Sequence, residues 1–310
     1  MEIRHLRYFV AVAEEGHVTR AAERLGIQQP PLSQQIKAIE RELDVQLFRR
    51  KPRGVDLTDA GRAFLVDARA ILDHLEHAFE ATRRSARGEQ GRISLGIAST
   101  AHFHPFVARV IRAFRDQFPL VSLTLEEGAT AELIELLRND QVDLAFIRAP
   151  FANTGGLVFN PLFEEAMMVA LPIRHPLARS EGNGDAPLSL RSLSAETFIL
   201  YRRSEGPGLP EVVISACHAA GFNPKIGQDA PRPASALNFV AAGLGITIVP
   251  ASLQRMHLDG VAYRRLKGAT QPKAPLNLVS RRGDPSAVVR QFLNLVKRVI
   301  KTFQIGQESV

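Results

Sequence analysis

The apolar period of this chain changes once, at SARGEQG (Ser85 to Gly91), and that change constrains what the chain can fold into. Ahead of it, apolar residues recur at steps of three and four, the spacing of helix faces. Beyond it, alternating strand-like runs interleave with helical ones. One core cannot serve both patterns, and 310 residues suit two or three domains. The break is polar and carries glycine, which reads as a hinge.

Leu6, Phe9, Val10 and Ala13 outline the apolar face of a first helix, ended by Gly16. Thr19 is placed to cap a short second helix, Arg20 to Leu25, before a tight turn at Gly26. A third helix carries Leu32, Ile36, Ile39 and Leu43 inward and leaves Ser33, Gln34, Lys37 and Arg41 outside. Proline is tolerated in a first helical turn because its missing N–H has no partner there. Pro31 biases Pro30 away from helical angles, so the spacing predicts a helix from Pro31, with Gln29 and Pro30 projecting at its tip.

Three short helices with this turn make a helix-turn-helix, whose second helix enters the major groove N-terminus first. Gln29, Pro30, Pro31, Ser33, Gln34 and Lys37 are the candidates to read or approach bases. Arg49, Arg50, Lys51 and Arg53, crowded into FRRKPRG, form a candidate wing on the phosphates. The bland alternative is a helical hairpin with a solvated basic loop. Turn, polar face and wing in this order favour DNA, and a net charge of +7 suits a polyanion.

Thr58 caps a long helix, Asp59 to about Arg87. Its seam of Phe64, Ala68, Ile71, Leu75, Ala78 and Thr82 alternates steps of four and three and is too long for a small domain to bury. The expectation is a homodimer through 59–87, and hence a DNA site of two half-sites. Past the hinge, RISLGIAS, HPFVARVIRAF, VSLTLEE, TAELIELLRN and VDLAFIR follow a β-α-β-α-β order, which argues for parallel sheets faced by helices.

Other chemistry finds little support. One cysteine, Cys217, allows neither an internal disulfide nor a thiol zinc site and reads as an inert core residue. His102 and His104, taken as pointing one way from a strand, and His74 and His77 on the long helix lack acidic or thiol companions at ligand spacing. Gly243-Leu244-Gly245 precedes a strand instead of following one, and neither a G-x-S-x-G nor a P-loop occurs. No catalytic set, metal or cofactor is expected. The start lacks a signal-peptide pattern and no apolar run nears 18 residues, so a soluble cytoplasmic protein away from membranes is expected.

Taken together, LRYFVAVAEEG, TRAAERLGIQQPPLSQQIKAIERELDVQLFRR, LTDAG and VAAGLGITIVPAS resemble the LysR-type transcriptional regulators over essentially the whole chain. The last of these and QQPPLS are most similar to the branch controlling aromatic and chloroaromatic breakdown. The resemblance implies an α+β multidomain protein. A winged helix-turn-helix spans 1–58, a dimerisation helix and hinge 59–90, and an effector domain 91–310 like the periplasmic binding proteins. Two Rossmann-like subdomains would form that domain, one from about 91–162 and 266–300, the other from 163–265. It further implies a homotetramer, a two-fold promoter site, RNA polymerase as a possible partner, and a muconate-like acid as effector.

The family lines its crevice at positions matching Ser99, Thr100, Thr130, Arg148, Tyr201, Arg202 and Arg203. Arginines there suit a carboxylate, although any of them could instead brace the subdomains. Relatives commonly have Pro at Arg202, Ser or Thr at Gln28, and Arg at Gln34, so ligand and DNA preference can differ. A DNA-binding protein without an effector, and an enzyme or carrier on the binding-protein fold, remain as alternatives.

Overall fold

The computed structural model describes residues 1–148, 155–178, 186–201 and 208–307, and falls into two compact units, Met1–Arg84 and Ser85–Val310. The first unit contains α1 (Ile3–Glu15), α2 (Val18–Leu25), α3 (Gln29–Leu43), the hairpin β1 (Phe48–Lys51) and β2 (Gly54–Leu57), and most of α4 (Asp59–Arg87). Leu6, Phe9, Val12, Ala21, Ala22, Leu32, Ile36, Ile39, Leu47 and Ala68 form its core. On α1 the buried set is therefore Leu6, Phe9, Ala11 and Val12, while Val10 and Ala13 are only half-buried.

Two helix starts differ from expectation. The cap of α2 is His17, whose Nδ1 accepts from the Thr19 amide at 3.3 Å, so the helix begins at Val18 and Thr19 lies inside it. Helix α3 begins at Gln29, with Gln28 as its cap and both prolines inside the first turn. That turn asks no N–H of either proline, and the fully buried Leu32 docks it on the core. The wing is fixed to the rest of the head at two places. Val55 N donates to Gly16 O at 2.9 Å, and Glu40 Oε1 accepts from the amides of Leu47 (2.8 Å) and Phe48 (3.1 Å). Gly54, at φ 115°, is needed there, because a Cβ would collide with the Gly16 carbonyl. Thr58 Oγ1 accepts from Gly61 N at 2.9 Å and so caps α4. Only the first half of α4 reaches this core, and Val66, Ile71 and Phe79 stay 69%, 49% and 47% exposed.

The second unit starts β3 (Gln90–Ala98), α5 (Pro105–Gln117), β4 (Leu120–Gly128), α6 (Thr130–Arg138), β5 (Leu144–Ile147). These three strands pair in parallel, in the order β4-β3-β5. Next come β6 (Leu157–Pro172), β7 (Leu188–Ser189), β8 (Thr197–Tyr201), α7 (Leu209–Ala219), β9 (Lys225–Ala230) and α8 (Pro233–Ala241). The chain closes with β10 (Thr247–Pro250), β11 (Val261–Lys267), β12 (Lys273–Arg281) and α9 (Ala287–Gln307). The sheet is mixed and not parallel throughout: β12 runs antiparallel to β5 and β6, and β6 antiparallel to β10 and β11.

Strand β6 passes from one core to another. Its beginning packs with Leu95, Phe106, Phe114, Phe146 and Phe292, and its end with Phe198, Leu200, Val213, Cys217 and Ile248. These two lobes each carry β strands faced by helices. His102 is in a 3-10 turn, Ala101–Phe103, and His104 caps α5, so neither lies on a strand. Among the described residues no group of three potential ligands could hold a metal, and no helix is long and apolar enough to cross a membrane.

Candidate functional site

Two constellations carry chemistry. On the first unit, Gln29, Pro30, Pro31, Gln34 and Lys37 are exposed along the outer face of α3, opposite Leu32, Ile36 and Ile39. Ser33 differs: it is half-buried, and its Oγ accepts from Gln29 Nε2 at 2.8 Å. An amide and a hydroxyl are thus pre-set one turn apart at the helix tip, a geometry suited to base edges. Arg49, Arg50, Lys51 and Arg53 are all exposed on or between the wing strands. Arg49 and Lys51 share the Asp56 carboxylate, at 2.8 and 2.9 Å. Both cations hold the Asp56 carboxyl far below the usual carboxylate range, Lys51 contributing most. Arg50 and Arg53 have no ion pair among the described residues.

The second constellation is a crevice of about 280 Å³ between the lobes of the second unit. Parallel strands deliver loops and helix starts to one edge, where ligands of open α/β sheets sit. Ser99 and Thr100 follow β3, Thr130 begins α6, Arg148 follows β5, and Tyr201 ends β8; all five line the crevice. Arg202 and Arg203 lie outside the described residues. Thr100 and Thr130 are buried, and Thr130 Oγ1 accepts from the Arg148 amide at 3.3 Å.

Arg148 is not free to greet a ligand. It is 1% exposed, its Nη1 donates to Ala274 O at 3.1 Å, and its Nη2 pairs with Glu165 Oε2. The other Glu165 oxygen accepts from the Ser252 amide. Glu165 lies where β6 crosses between cores, so the pair braces the lobes. Burial pulls the Arg148 guanidinium down, and Glu165 counters it. Among the described side chains that line the crevice, Arg148 Nε and the Tyr201 hydroxyl are buried without a hydrogen-bond partner. Burial pushes the Tyr201 phenol up, and burial likewise holds the His104 imidazole, which senses Glu165 and Arg148, down at about 4.

Sequence reasoning missed Arg232. It is exposed, caps α8 ahead of Pro233, and lines the crevice. Its signal was present: Arg-Pro directly before a helical run, with proline in the first turn. Glu127 and Glu132 were also missed; Glu132 Oε2 already accepts from the Ala129 amide at 2.9 Å.

Both units match known proteins. Residues 3–62 match the bacterial regulatory helix-turn-helix protein, lysR family, and residues 86–301 match the LysR substrate binding domain. The transcriptional regulator BudR of Raoultella terrigena is 39% identical over 95% of this chain and 100% of its own length. CatR of Pseudomonas putida is 35% identical over 96% of this chain and 98% of its own. Among solved structures, CbnR, a LysR family transcriptional regulator, superposes at a TM-score of 0.84 with 30% identity, over 96% of this chain and all of that one. CbnR complexed with its target DNA superposes at 0.83. The relatives are transcriptional regulators, not enzymes. With both domains matched, this chain belongs to the LysR family of DNA-binding transcriptional regulators.

Proposed function

We propose that this regulator answers a small carboxylate held between its two lobes, and that winged heads in a paired assembly carry the answer to a two-fold DNA site. The observation behind the ligand is the convergence of three helix N-termini on one crevice. α6, α7 and α8 all start at its lining, beside the hydroxyls of Ser99, Thr100 and Thr130 and the cation of Arg232. Unpaired N–H groups and the positive ends of helix dipoles favour an anion. A volume of about 280 Å³ is just under the usual range of roughly 300–1,000 Å³ for drug-sized ligands. An acid of the size of benzoate or cis,cis-muconate fits that scale. The branch resemblance favours an aromatic-derived one.

Both lobes supply lining residues, so an acid that fits one arrangement of the lobes better shifts the balance toward it. Gln29, Pro30, Pro31, Ser33, Gln34 and Lys37 approach bases, and the wing cations approach phosphates. The α4 seam makes the dimer, two dimers the tetramer, and RNA polymerase is the partner at the promoter. The work is done in the cytoplasm.

Calorimetric titration with cis,cis-muconate and benzoate tests the ligand. One acid should bind, and Arg232→Gln should weaken it about fivefold, the worth of one exposed ion pair. Unchanged affinity removes Arg232 from the site. If neither acid binds, the second reading gains: a regulator without an acid effector, favoured by the commitment of Arg148 to Glu165.

A further inference from the structure

We infer that Asp56 governs the electrostatic reach of the wing: it holds back two of four cations and so limits sequence-independent DNA binding. Strands β1 and β2 pair Arg49 with Asp56 and Lys51 with Gly54 across a two-residue turn. Residues 49 and 51 share one face of their strand, since strand side chains alternate. Asp56 therefore stands opposite one cation and diagonal to the other, and it meets both. Its Oδ2 lies 2.8 Å from Arg49 Nη2 and 2.9 Å from Lys51 Nζ. Arg50, on the next position of the strand, and Arg53, in the turn, have no such carboxylate.

Exposed ion pairs of this kind are weak, so a phosphate can draw Arg49 or Lys51 away. The carboxylate stays, however. It sits within hydrogen-bond distance of both cations, well inside a Debye length of about 8–10 Å, so salt does not hide it from a phosphate they touch. Asp56 thus removes about one effective charge from the wing. Phosphate contacts carry nearly all non-specific affinity, whereas base contacts on α3 carry the sequence. An acid in the wing trims the phosphate contribution, which specific and non-specific complexes share, so it lowers affinity for both by about the same factor. Asp56 is in this sense a residue that sets the wing's DNA affinity and its salt dependence without touching a base.

This inference rests on the reading of the wing as a phosphate contact. The test measures binding of the full-length protein to its own upstream intergenic duplex and to a random duplex of equal length, by fluorescence anisotropy over roughly 50–200 mM salt. Four proteins are compared: the parent, Asp56→Asn, Asp56→Glu and Arg53→Ala. Asp56→Asn should steepen the slope of log affinity against log salt by about 0.9, and tighten random DNA about eightfold near 0.1 M salt. The upstream duplex should tighten by about the same factor, which keeps the gap between the two duplexes. Asp56→Glu should keep the parent slope, and Arg53→Ala should flatten it by about 0.9. An unchanged slope in Asp56→Asn, with Arg53→Ala flattened, overturns the role of Asp56 and leaves the wing in place. Weaker binding by Asp56→Asn also overturns it, since Asp56 would then be orienting the cations for phosphate. No change in either variant overturns the wing contact and this inference together.

Discussion

Glu165→Ala should lower the thermal midpoint of the protein by about 10 °C. The substitution leaves Arg148 as a buried charge without its counter-ion and the Ser252 amide without an acceptor. Breaking one side of a buried pair costs about 3–5 kcal/mol, because the remaining ion keeps its desolvation penalty. In a unit of this size each kcal/mol moves the midpoint by about 2–4 °C. The double variant Arg148→Met, Glu165→Leu should recover the part of the loss that comes from the buried charge, while the Ser252 amide still lacks its acceptor. Scanning calorimetry of parent, single and double variants checks both statements. A Glu165→Ala midpoint within a degree of the parent would mean that the pair does not brace the lobes. Arg148 would then be available to a ligand after all.

The other large effect concerns assembly. Ile71, in the α4 seam, and Phe79, on the row beside it, are half-exposed, and the seam continues well beyond the reach of the small core at its start. Burying them against the same face of a second copy accounts for that exposure. Ile71→Glu combined with Phe79→Glu sets carboxylates into such an interface, where unpaired charge is costly. Light scattering should report a smaller assembly. Affinity for a two-fold DNA site should drop by about 100-fold or more, because linked heads gain roughly 10²–10⁴ over one head. Affinity for an isolated half-site should stay. An assembly of parental size would place the pairing surface away from α4.

The parts of the fold that were legible in the sequence are those decided locally. Leu32, Ile36 and Ile39 are buried as their spacing foretold, Gly26 turns with positive φ, and Thr58 caps α4. The misread helix starts were also local, but they depended on which group reaches an orphan N–H. His17 outcompetes Thr19 for that role, and Pro30 enters the helix because Leu32 is docked beside it. Pairing over distance was not legible. Strand β6 joins Leu157 to Arg281 and Lys273 to Ala166, and no periodicity in 157–172 announces that it runs antiparallel to both β5-side and β11-side neighbours.

The crevice divides the same way. Ser99, Thr100 and Thr130 could be chosen because ligand sites follow the carboxyl ends of strands, a rule that needs only element order. That Arg148 is spent on Glu165 could not be, since their meeting depends on β5 and β12 lying side by side with β6 beyond. Arg232 carried a helix-start signal, but nothing local said that α8 begins at the crevice.

Footprinting of the purified protein on its own upstream intergenic DNA, with and without cis,cis-muconate and benzoate, tests the central claim most directly. Protection of a two-fold site, with an extent that one acid changes, is the predicted result. It would tie the α3 and wing surface to the crevice in one experiment. No protection even at low salt would contradict the account at its base. Protection that ignores both acids would contradict the coupling between crevice and DNA for these ligands.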